Sequence, residues 1–424
     1  MKRDDAVRLT YAGREQVASW PAPAPIRLAR EDVLGPPVPA GTPASLLVRA
    51  DNLGGLAALR PALAGRVDLV YLDPPFATAE DFGAFDDRWP DRAAYLGMLE
   101  KRLRLLRALL SERGSLIVHL DWHVGHLVRA LLGEIFGEEN SLGEIIWAYG
   151  SPSGGRTAGA KLVKAHDILY WFARRRGRHI FHPLRVPYHE RYLRDWFRYV
   201  DDDGRRYRKR WRGRGRVERQ YLDQSPGMPL STVWSDIQQV YADPRAYKAG
   251  TRSDVTGYPT QKPLKLLERL IALATDPGGL VVDAFCGSGT TLVAAARLRR
   301  SFVGIDVSAH AVHVSKRRLL VESTSFEVWA DAPPPAGPPL RCRAHARGLC
   351  VEVQLDPSAA AQADLWEVGF EPQVVRRALR ERGRLTATLA HEYTRPGRHR
   401  VRVRVLGRAG EASTQELLVT LRNQ

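Results

Sequence analysis

Cysteine is nearly absent from this 424-residue chain, which has only Cys286, Cys342 and Cys350. Three cysteines support neither a disulfide framework nor a paired-cysteine zinc site. No stretch comes near the roughly 18 consecutive apolar residues that a membrane span needs. The opening MKRDDAVRLTYAGR lacks the apolar core of a secretory signal. Together these absences lead us to expect a soluble protein of the reducing cytoplasm, with no membrane partner. Acidic residues are also too few: 47 Asp and Glu face 64 Lys and Arg, which leaves a net charge of +17. A 44% hydrophobic and 26% charged composition excludes wholesale disorder. The length leaves room for two to three domains. An excess of +17 points to a polyanionic partner, nucleic acid first. An Arg-biased solubility surface is the plainer alternative.

Proline is concentrated in two stretches. Residues 20–44 contain WPAPAPIR and GPPVPAGTPA, and residues 332–339 read APPPAGPP. Such runs cannot continue a helix and favour extended linkers. They divide the chain into an N-terminal arm (1–44), a body (45–325), a linker (326–339) and a C-terminal piece (340–424). Within the body, Val67–Leu72 is an apolar run of the kind a buried parallel strand needs. Apolar residues recur every three or four positions over Tyr95–Leu110, which predicts an amphipathic helix. Further strands are expected at Leu116–Leu120, Ile168–Phe172, Leu280–Ala284 and Phe302–Ile305. Helices are expected around His126–Phe136, Leu264–Ala274 and Thr290–Leu298. This alternation predicts an α/β fold with a mixed, mostly parallel sheet and right-handed crossovers.

Between the two halves, residues 174–257 lose the pattern. Residues 174–220 alone hold 17 Lys and Arg against 6 Asp and Glu, so +11 of the +17 lies there. Aromatic residues are interleaved, among them Tyr192, Trp196, Tyr199, Tyr207 and Trp211. That mixture suits gripping phosphates while stacking on bases. A solvated insertion with a few buried aromatics is the alternative.

Two motifs carry chemistry. In the first, the strand at Val281–Asp283 runs into Ala284-Phe285-Cys286-Gly287-Ser288-Gly289-Thr290 and then a helix. Glycines allow a tight turn and a close approach of ligand to backbone. The next strand ends at Asp306, where a carboxylate can accept hydrogen bonds from ribose hydroxyls. There is no GxxxxGK[ST], so this is not a phosphate-cradling loop. Cys286 reads as a small loop residue, because no base adjoins it in sequence. In the second motif, Asp73-Pro74-Pro75-Phe76 follows Val67–Leu72 directly. Two prolines stiffen the chain as it leaves the sheet, at the strand end where open α/β sheets bind ligands. The Asp73 carboxylate and the Pro74 carbonyl can then converge on one amino group, with Phe76 offering an apolar face to a planar ring.

At these residues the sequence resembles the S-adenosylmethionine-dependent DNA amino-methyltransferases of the permuted β group. In that family the catalytic motif precedes the cofactor motif, and a target-recognition region lies between them. Asp73–Phe76 matches the family's DPP(Y/F) and Asp283–Thr291 its D-P-F-x-G-S-G-T-T. Tyr258–Leu267 (YPTQKPLKLL), Asp51-Asn52-Leu53 and residues 302–312 (FVGIDVSAHAV) match further segments. The match spans about 48–320. Ala284 departs from it, standing where the family usually has proline.

The resemblance implies a Rossmann-like methyltransferase sheet with permuted motif order, an inserted target-recognition region at 174–257 and a small C-terminal all-β domain. It implies that Asp73, Pro74, Pro75 and Phe76 hold a flipped-out adenine for methylation at N6, with cytosine N4 as the alternative. Cofactor contacts would come from Asp51, Thr260, Lys262, Asp283, Phe285, Cys286, Gly287, Ser288, Gly289, Thr290 and Asp306, with no metal. Double-stranded DNA would be gripped by Arg205, Arg206, Arg208, Lys209, Arg210, Arg212 and Arg214. A cognate restriction endonuclease and a homodimer stay open as partners. A non-catalytic DNA-binding module and an RNA or protein N-methyltransferase are the competing readings, opposed by the intact motifs and their order.

HLDWHVGH at 119–126 crowds three histidines and an aspartate; we read it as structural, with Asp121 starting the next helix. Arg174–Arg178 reads as a nucleic-acid contact. Val401, Val403 and Val405 alternate with Arg400, Arg402 and Arg404, so one strand face is buried and the other basic. The stretch 392–410 resembles the Y-x-x-P-G-x-Y-x-V segment of PKD-like domains, which implies a small β-sandwich.

Overall fold

A computed structural model of the protein describes residues 8–18, 23–36, 44–149, 162, 164–213, 215–240, 255–371, 374–381 and 383–422. The first half contains α1 (Arg14–Ala18), β1 (Ala29–Leu34), β2 (Leu46–Arg49), α2 (Asn52–Leu63), β3 (Val67–Leu72) and α3 (Arg92–Leu109). It continues with β4 (Leu110–Leu120), α4 (Gly125–Phe136), β5 (Ser141–Ala148) and β6 (His166–Ala173). The insertion holds β7 (Arg185–Val186), α5 (Glu190–Trp196), β8 (Tyr199–Val200), β9 (Arg206–Arg212), β10 (Arg216–Tyr221), β11 (Met228–Pro229) and β12 (Val233–Trp234). The second half adds α6 (Leu264–Ala274), β13 (Leu280–Asp283), α7 (Thr290–Arg297), β14 (Ser301–Asp306), α8 (Ala309–Val321) and β15 (Phe326–Ala330).

Ten strands form one sheet in the order β1-β15-β2-β14-β13-β3-β4-β6-β5-β12. The six from β15 to β4 are mutually parallel, whereas β1 and β6 pair antiparallel to their neighbours. β13 leads through α7 to β14 on one side, and β3 leads through α3 to β4 on the other. Strand order therefore reverses between β13 and β3, the place where open α/β sheets open a crevice. The register sets Asp283 beside Tyr71, so the glycine turn and the Asp73 turn leave the sheet side by side.

Alternation in β3 fixes which layer each residue joins. Leu69 and Tyr71 pack with α6 and α7, while Val70 and Leu72 pack with α3 and α4. α3 begins where the Asp91 carboxylate accepts from the Ala94 N–H at 2.7 Å. Its Tyr95, Leu99, Leu103 and Leu106 stripe is fully buried. At about 1.5–3 kcal/mol per buried large apolar side chain, that stripe is a main reason the helix holds to the sheet.

Two segments expected to lie outside the body belong to it. β1 and β15 are strands of the central sheet, although they fall in the expected arm (1–44) and linker (326–339). Each is short and flanked by proline, and AREDVL in β1 has no clean apolar alternation. The arm is also clasped by charge. Arg14 of α1 reaches Glu100 at 3.1 Å and Glu134 at 2.7 Å. Beyond Ala330 the C-terminal domain has two antiparallel sheets. One is β16 (Cys342–Arg347), β17 (Cys350–Leu355) and β20 (Thr388–Glu392). The other is β18 (Leu365–Phe370), β19 (Val374–Leu379), β21 (Gly397–Leu406) and β22 (Ala412–Leu421), with a helix α9 (Pro357–Gln362) after β17. Val401, Val403 and Val405 join Val351, Trp366 and Phe370 in its core.

Candidate active site

The crevice between β13 and β3 is a cavity of about 420 Å³. Asp51, Asp73, Pro74, Pro75, Phe76, Thr260, Lys262, Asp283, Phe285, Cys286, Gly287, Ser288, Thr290 and Asp306 all line it. Motifs far apart in the sequence thus meet at one opening. Gly289 lies behind this wall. Its φ is +74°, and a Cβ there would stand 2.5 Å from Ser315 Oγ of α8, so only glycine fits.

The glycine turn is braced from below. Asp306 Oδ2 accepts from the Gly287 N–H at 2.9 Å and its Oδ1 from the Ser308 N–H at 2.9 Å. Burial raises the Asp306 carboxyl above its ordinary range against those two bonds. Asn52 Nδ2 donates to the Ala284 carbonyl at 2.6 Å, which fixes the turn where a proline ring is missing. Arg102 holds Asn52 in turn and pairs with Asp51 at 3.0 Å. Asp51 itself caps α2 by accepting from Leu53 and Gly54.

Asp283 is buried and accepts from Thr291 Oγ1 at 2.5 Å and from the Phe285 N–H at 3.0 Å. Burial pushes its carboxyl up to about 7, even though those hydrogen bonds pull the other way. A carboxyl raised in the folded state favours folding fully below its ordinary value near 3.8, and that contribution is lost as pH rises to about 7. Asp283→Asn cannot titrate, and its one amide oxygen still accepts from the Phe285 N–H while its NH2 can donate to Thr291 Oγ1. The unfolding free energy of wild type minus that of the variant should therefore fall by up to about 1.4 kcal/mol per pH unit across that window. It should then level off above it. Urea melts at fixed pH measure this, and a flat difference would remove the raised carboxyl.

Asp73 has two unlike oxygens. Oδ2 accepts from Lys262 Nζ at 2.6 Å. Oδ1 is buried and has no hydrogen-bond partner among the described residues. Thr260 takes a left-handed backbone (φ 58°) that turns the chain just ahead of Lys262, and its carbonyl lies 3.4 Å from Nζ. The Phe76 ring has the Lys262 ammonium at 5.0 Å and the Lys164 ammonium at 5.5 Å.

Several residues that matter here carry no recognisable motif. Asp87 is 1% exposed and collects hydrogen bonds from the N–H groups of Phe76 (3.2 Å), Ala77 (2.9 Å) and Thr78 (2.9 Å) and from Thr78 Oγ1 (2.7 Å). Phe82 and Phe85 stack at 5.0 Å on the cavity rim.

The histidine-rich stretch forms a buried network beside Phe76. His119 sits between Tyr71 OH (2.8 Å) and Asp167 Oδ2 (3.2 Å). Lys164 joins Asp167 (2.6 Å) to Asp121 (3.1 Å). Burial alone would raise the Asp167 carboxyl, but the His119 hydrogen bond and the nearby cations hold it well below its ordinary range. Asp121 does not start α4 as expected. Val124 is the capping residue, and the Asp121 carboxylate is taken up by the His123 N–H, the His123 ring and Lys164.

The basic insertion contains a hairpin, β9–β10. Arg205 forks onto Asp223 at 2.9 and 3.0 Å. Arg206 donates to the carbonyls of Leu193 and Phe197, and Arg208 to Gln220 and Tyr192. These three expected DNA contacts are therefore committed to bonds within the insertion, two of them holding the hairpin on α5. Arg212 pairs with Glu218 at 2.8 Å in the open. Lys209 and Arg210 stand exposed, with Lys209 over the Tyr199 ring at 4.6 Å. Arg214 lies outside the described residues. Arg174–Arg178 follows the end of β6 that pairs with Ser115 of β4, so it lies at the opposite end of the sheet from the cavity.

The chain is similar to known proteins over this same region. A family model described as DNA methylase, of the N6/N4 type, matches residues 67–317. Type II methyltransferase M.EcaI of Enterobacter cloacae is 26% identical over 306 residues, covering 60% of this chain and 65% of that protein. The chain thus spans somewhat under two thirds of that relative. DNA adenine methyltransferase YhdJ of Escherichia coli is 23% identical, covering 67% of this chain and 85% of that protein. Among solved structures, an M1.HpyAVI–SAM complex aligns with 65% of this chain and 98% of its own at 18% identity, TM-score 0.41. The PKD1 domain of the Vibrio cholerae metalloprotease PrtV aligns over 22% of this chain and 100% of its own at 17% identity, TM-score 0.16. With a cavity built from both motifs and a family model covering more than half of the sequence, the chain belongs to the N6/N4 DNA methylase family.

Proposed function

We propose that this protein transfers a methyl group from S-adenosylmethionine to the exocyclic N6 of an adenine flipped out of duplex DNA. The observation that carries this reading is the divided carboxylate of Asp73. One oxygen is fixed by Lys262, and the other is buried and unpaired in the same cavity as the glycine turn. A buried acceptor without a donor is costly, by about 1–3 kcal/mol, unless a ligand supplies the hydrogen. An exocyclic amine supplies one.

The cavity's residues fit the cofactor. Asp306 can accept from ribose hydroxyls, the Gly287 turn lets a ligand approach the backbone, and Thr260 and Lys262 line the same cavity. When bound, S-adenosylmethionine supplies an electrophilic methyl group. Asp73 Oδ1 and the Pro74 carbonyl accept the two N–H bonds of the amine, which holds its nitrogen lone pair free of the ring. Phe76 stacks on the base. The protein's contribution is placement and fixed charge rather than covalent chemistry. The base must leave the stack, because its amine is out of reach inside a duplex. Adenine is supported by the name of the relative YhdJ and by the DPP-aromatic motif. A restriction endonuclease of matching specificity would be the natural partner, and the cytoplasm the natural place of work.

Incubation with methyl-labelled S-adenosylmethionine and mixed duplex DNA, RNA and protein should place label in DNA. Label in RNA or protein alone would overturn the reading. The exposed cations of the hairpin supply a second test. Replacing Lys209, Arg210 and the likewise exposed Arg219, which pairs across the hairpin with Lys209, together by glutamine should weaken DNA binding and flatten its salt dependence. The log–log slope should change by about 0.9 for each phosphate that is no longer neutralised. An unchanged slope in anisotropy titrations would put the DNA elsewhere.

A further inference from the structure

α8 is shared between the cavity and the C-terminal domain. On one face it ties down the glycine turn. Ser315 Oγ donates to the Gly287 carbonyl at 2.8 Å, and Arg318 donates to the Ser288 carbonyl and to Thr290 Oγ1, both at 2.8 Å. On the other face it carries the C-terminal domain. His313 Nε2 lies 2.9 Å from Asp364 Oδ2, and Arg317 donates to the same oxygen at 2.8 Å and to the Arg380 carbonyl at 2.7 Å. Buried Lys316 pairs with Asp32 of β1 at 2.8 Å, and Arg377 and Arg404 of the C-terminal domain stand 3.7 Å from that carboxylate.

A second link runs directly to the cavity wall. Gly410 has φ +84°, and a Cβ there would stand 2.3 Å from the Ala309 carbonyl oxygen. The turn of the C-terminal domain at this point is therefore pressed backbone to backbone on the first turn of α8. Beside it His310 Nδ1 lies 2.7 Å from the Arg408 carbonyl, which can only accept, so Nδ1 carries the proton. The His310 ring stacks on Tyr258, 5.7 Å between centroids and 21° between planes. Tyr258 lines the cavity and lies over Gly287, where a Cβ would meet its ring at 3.3 Å.

We propose that the C-terminal β domain is a working part of the cofactor site. Through α8 and the Arg408–His310–Tyr258 contact it holds the Gly287–Thr290 turn and the Tyr258 wall in their binding shape. This rests on the reading of the cavity as an S-adenosylmethionine site. A turn ordered before its ligand arrives loses less freedom on binding, so its supports act on affinity. His310 is a positioning residue.

The test uses the full chain and S-adenosylhomocysteine in calorimetric titration without DNA. His310→Ala should weaken binding about tenfold, or about 1.4 kcal/mol. It should raise KM for S-adenosylmethionine by a similar factor, with kcat and KM for DNA unchanged. His310→Phe, which keeps the stacked ring but loses the carbonyl bond, should fall between. Asp364→Asn should act in the same direction. Should that variant melt early, His310→Ala still decides, because its ring is only partly buried. Arg402→Ala, on the exposed face of β21, should change nothing. Wild type that fails to bind S-adenosylhomocysteine would overturn the reading of the cavity itself. Wild type that binds while both His310→Ala and Asp364→Asn bind within twofold of it would overturn the role of the C-terminal domain alone.

Discussion

Asp73→Ala is expected to lower methyl transfer by about 10³-fold, the scale of removing a placed electrostatic group from a reaction centre. Binding of duplex DNA should survive, because the exposed cations of the β9–β10 hairpin are untouched. Two losses combine in this variant. The buried Oδ1 acceptor, unpartnered among the described residues, disappears, and Lys262 Nζ loses its partner at 2.6 Å. Asp73→Asn separates them, since its amide oxygen can stay with Lys262 Nζ while its NH2, a donor only, replaces the free acceptor. It should also be strongly impaired. Label transfer and anisotropy measured on the same preparations check both halves. Activity within tenfold of wild type would remove Asp73 from the reaction.

The second large effect is expected at a residue with no direct part in the chemistry. Asp87→Ala should lower kcat about 10²-fold and destabilise the protein by about 3–5 kcal/mol. Its carboxylate is the common acceptor for three backbone N–H groups and one hydroxyl just after Pro75. Ala77 and Ala79 in this loop take left-handed backbones, at φ 55° and 64°. Such a conformation costs a non-glycine residue roughly 1–2 kcal/mol and must be held from outside. Without Asp87 the loop can relax, and Phe76 moves with it. Asp87→Asn keeps one acceptor oxygen but points an amide at the remaining donors, so it should lie between. Denaturant melts and single-turnover rates measure the two effects. A stable Asp87→Ala protein with normal kcat would show that the loop holds itself.

Why the sequence announced Asp73 and stayed silent on Asp87 is a matter of local context. Asp73 and the Gly287 turn sit directly after strands, where an apolar run gives way to proline or glycine, so the break itself marks them. Asp87 belongs to a run, AEDFGAFDDRWP, with four acidic residues that nothing local tells apart. Only folding shows that one of them is buried under the preceding turn. The central strands β3, β13 and β14 were legible because burial on both faces leaves an apolar run. β1 and β15 were not: β1 is an edge strand, where that demand relaxes, β15 is only five residues long, and the prolines flanking both read as breaks. The arginines around β9 divide in the same way. Composition finds a basic segment, but which guanidiniums serve Asp223 or the Phe197 carbonyl depends on how the hairpin packs. His310, an ordinary residue at the start of a helix, acquires its place only through a domain that begins some 30 residues later.

We propose that the Asp73 oxygen left unpaired among the described residues holds the amine of adenine. The most direct measurement is nucleoside analysis by mass spectrometry of duplex DNA incubated with the purified chain and S-adenosylmethionine. N6-methyladenine should form with wild type and not with Asp73→Ala. N4-methylcytosine in its place, or no methylated base from a protein that binds both DNA and cofactor, would contradict it.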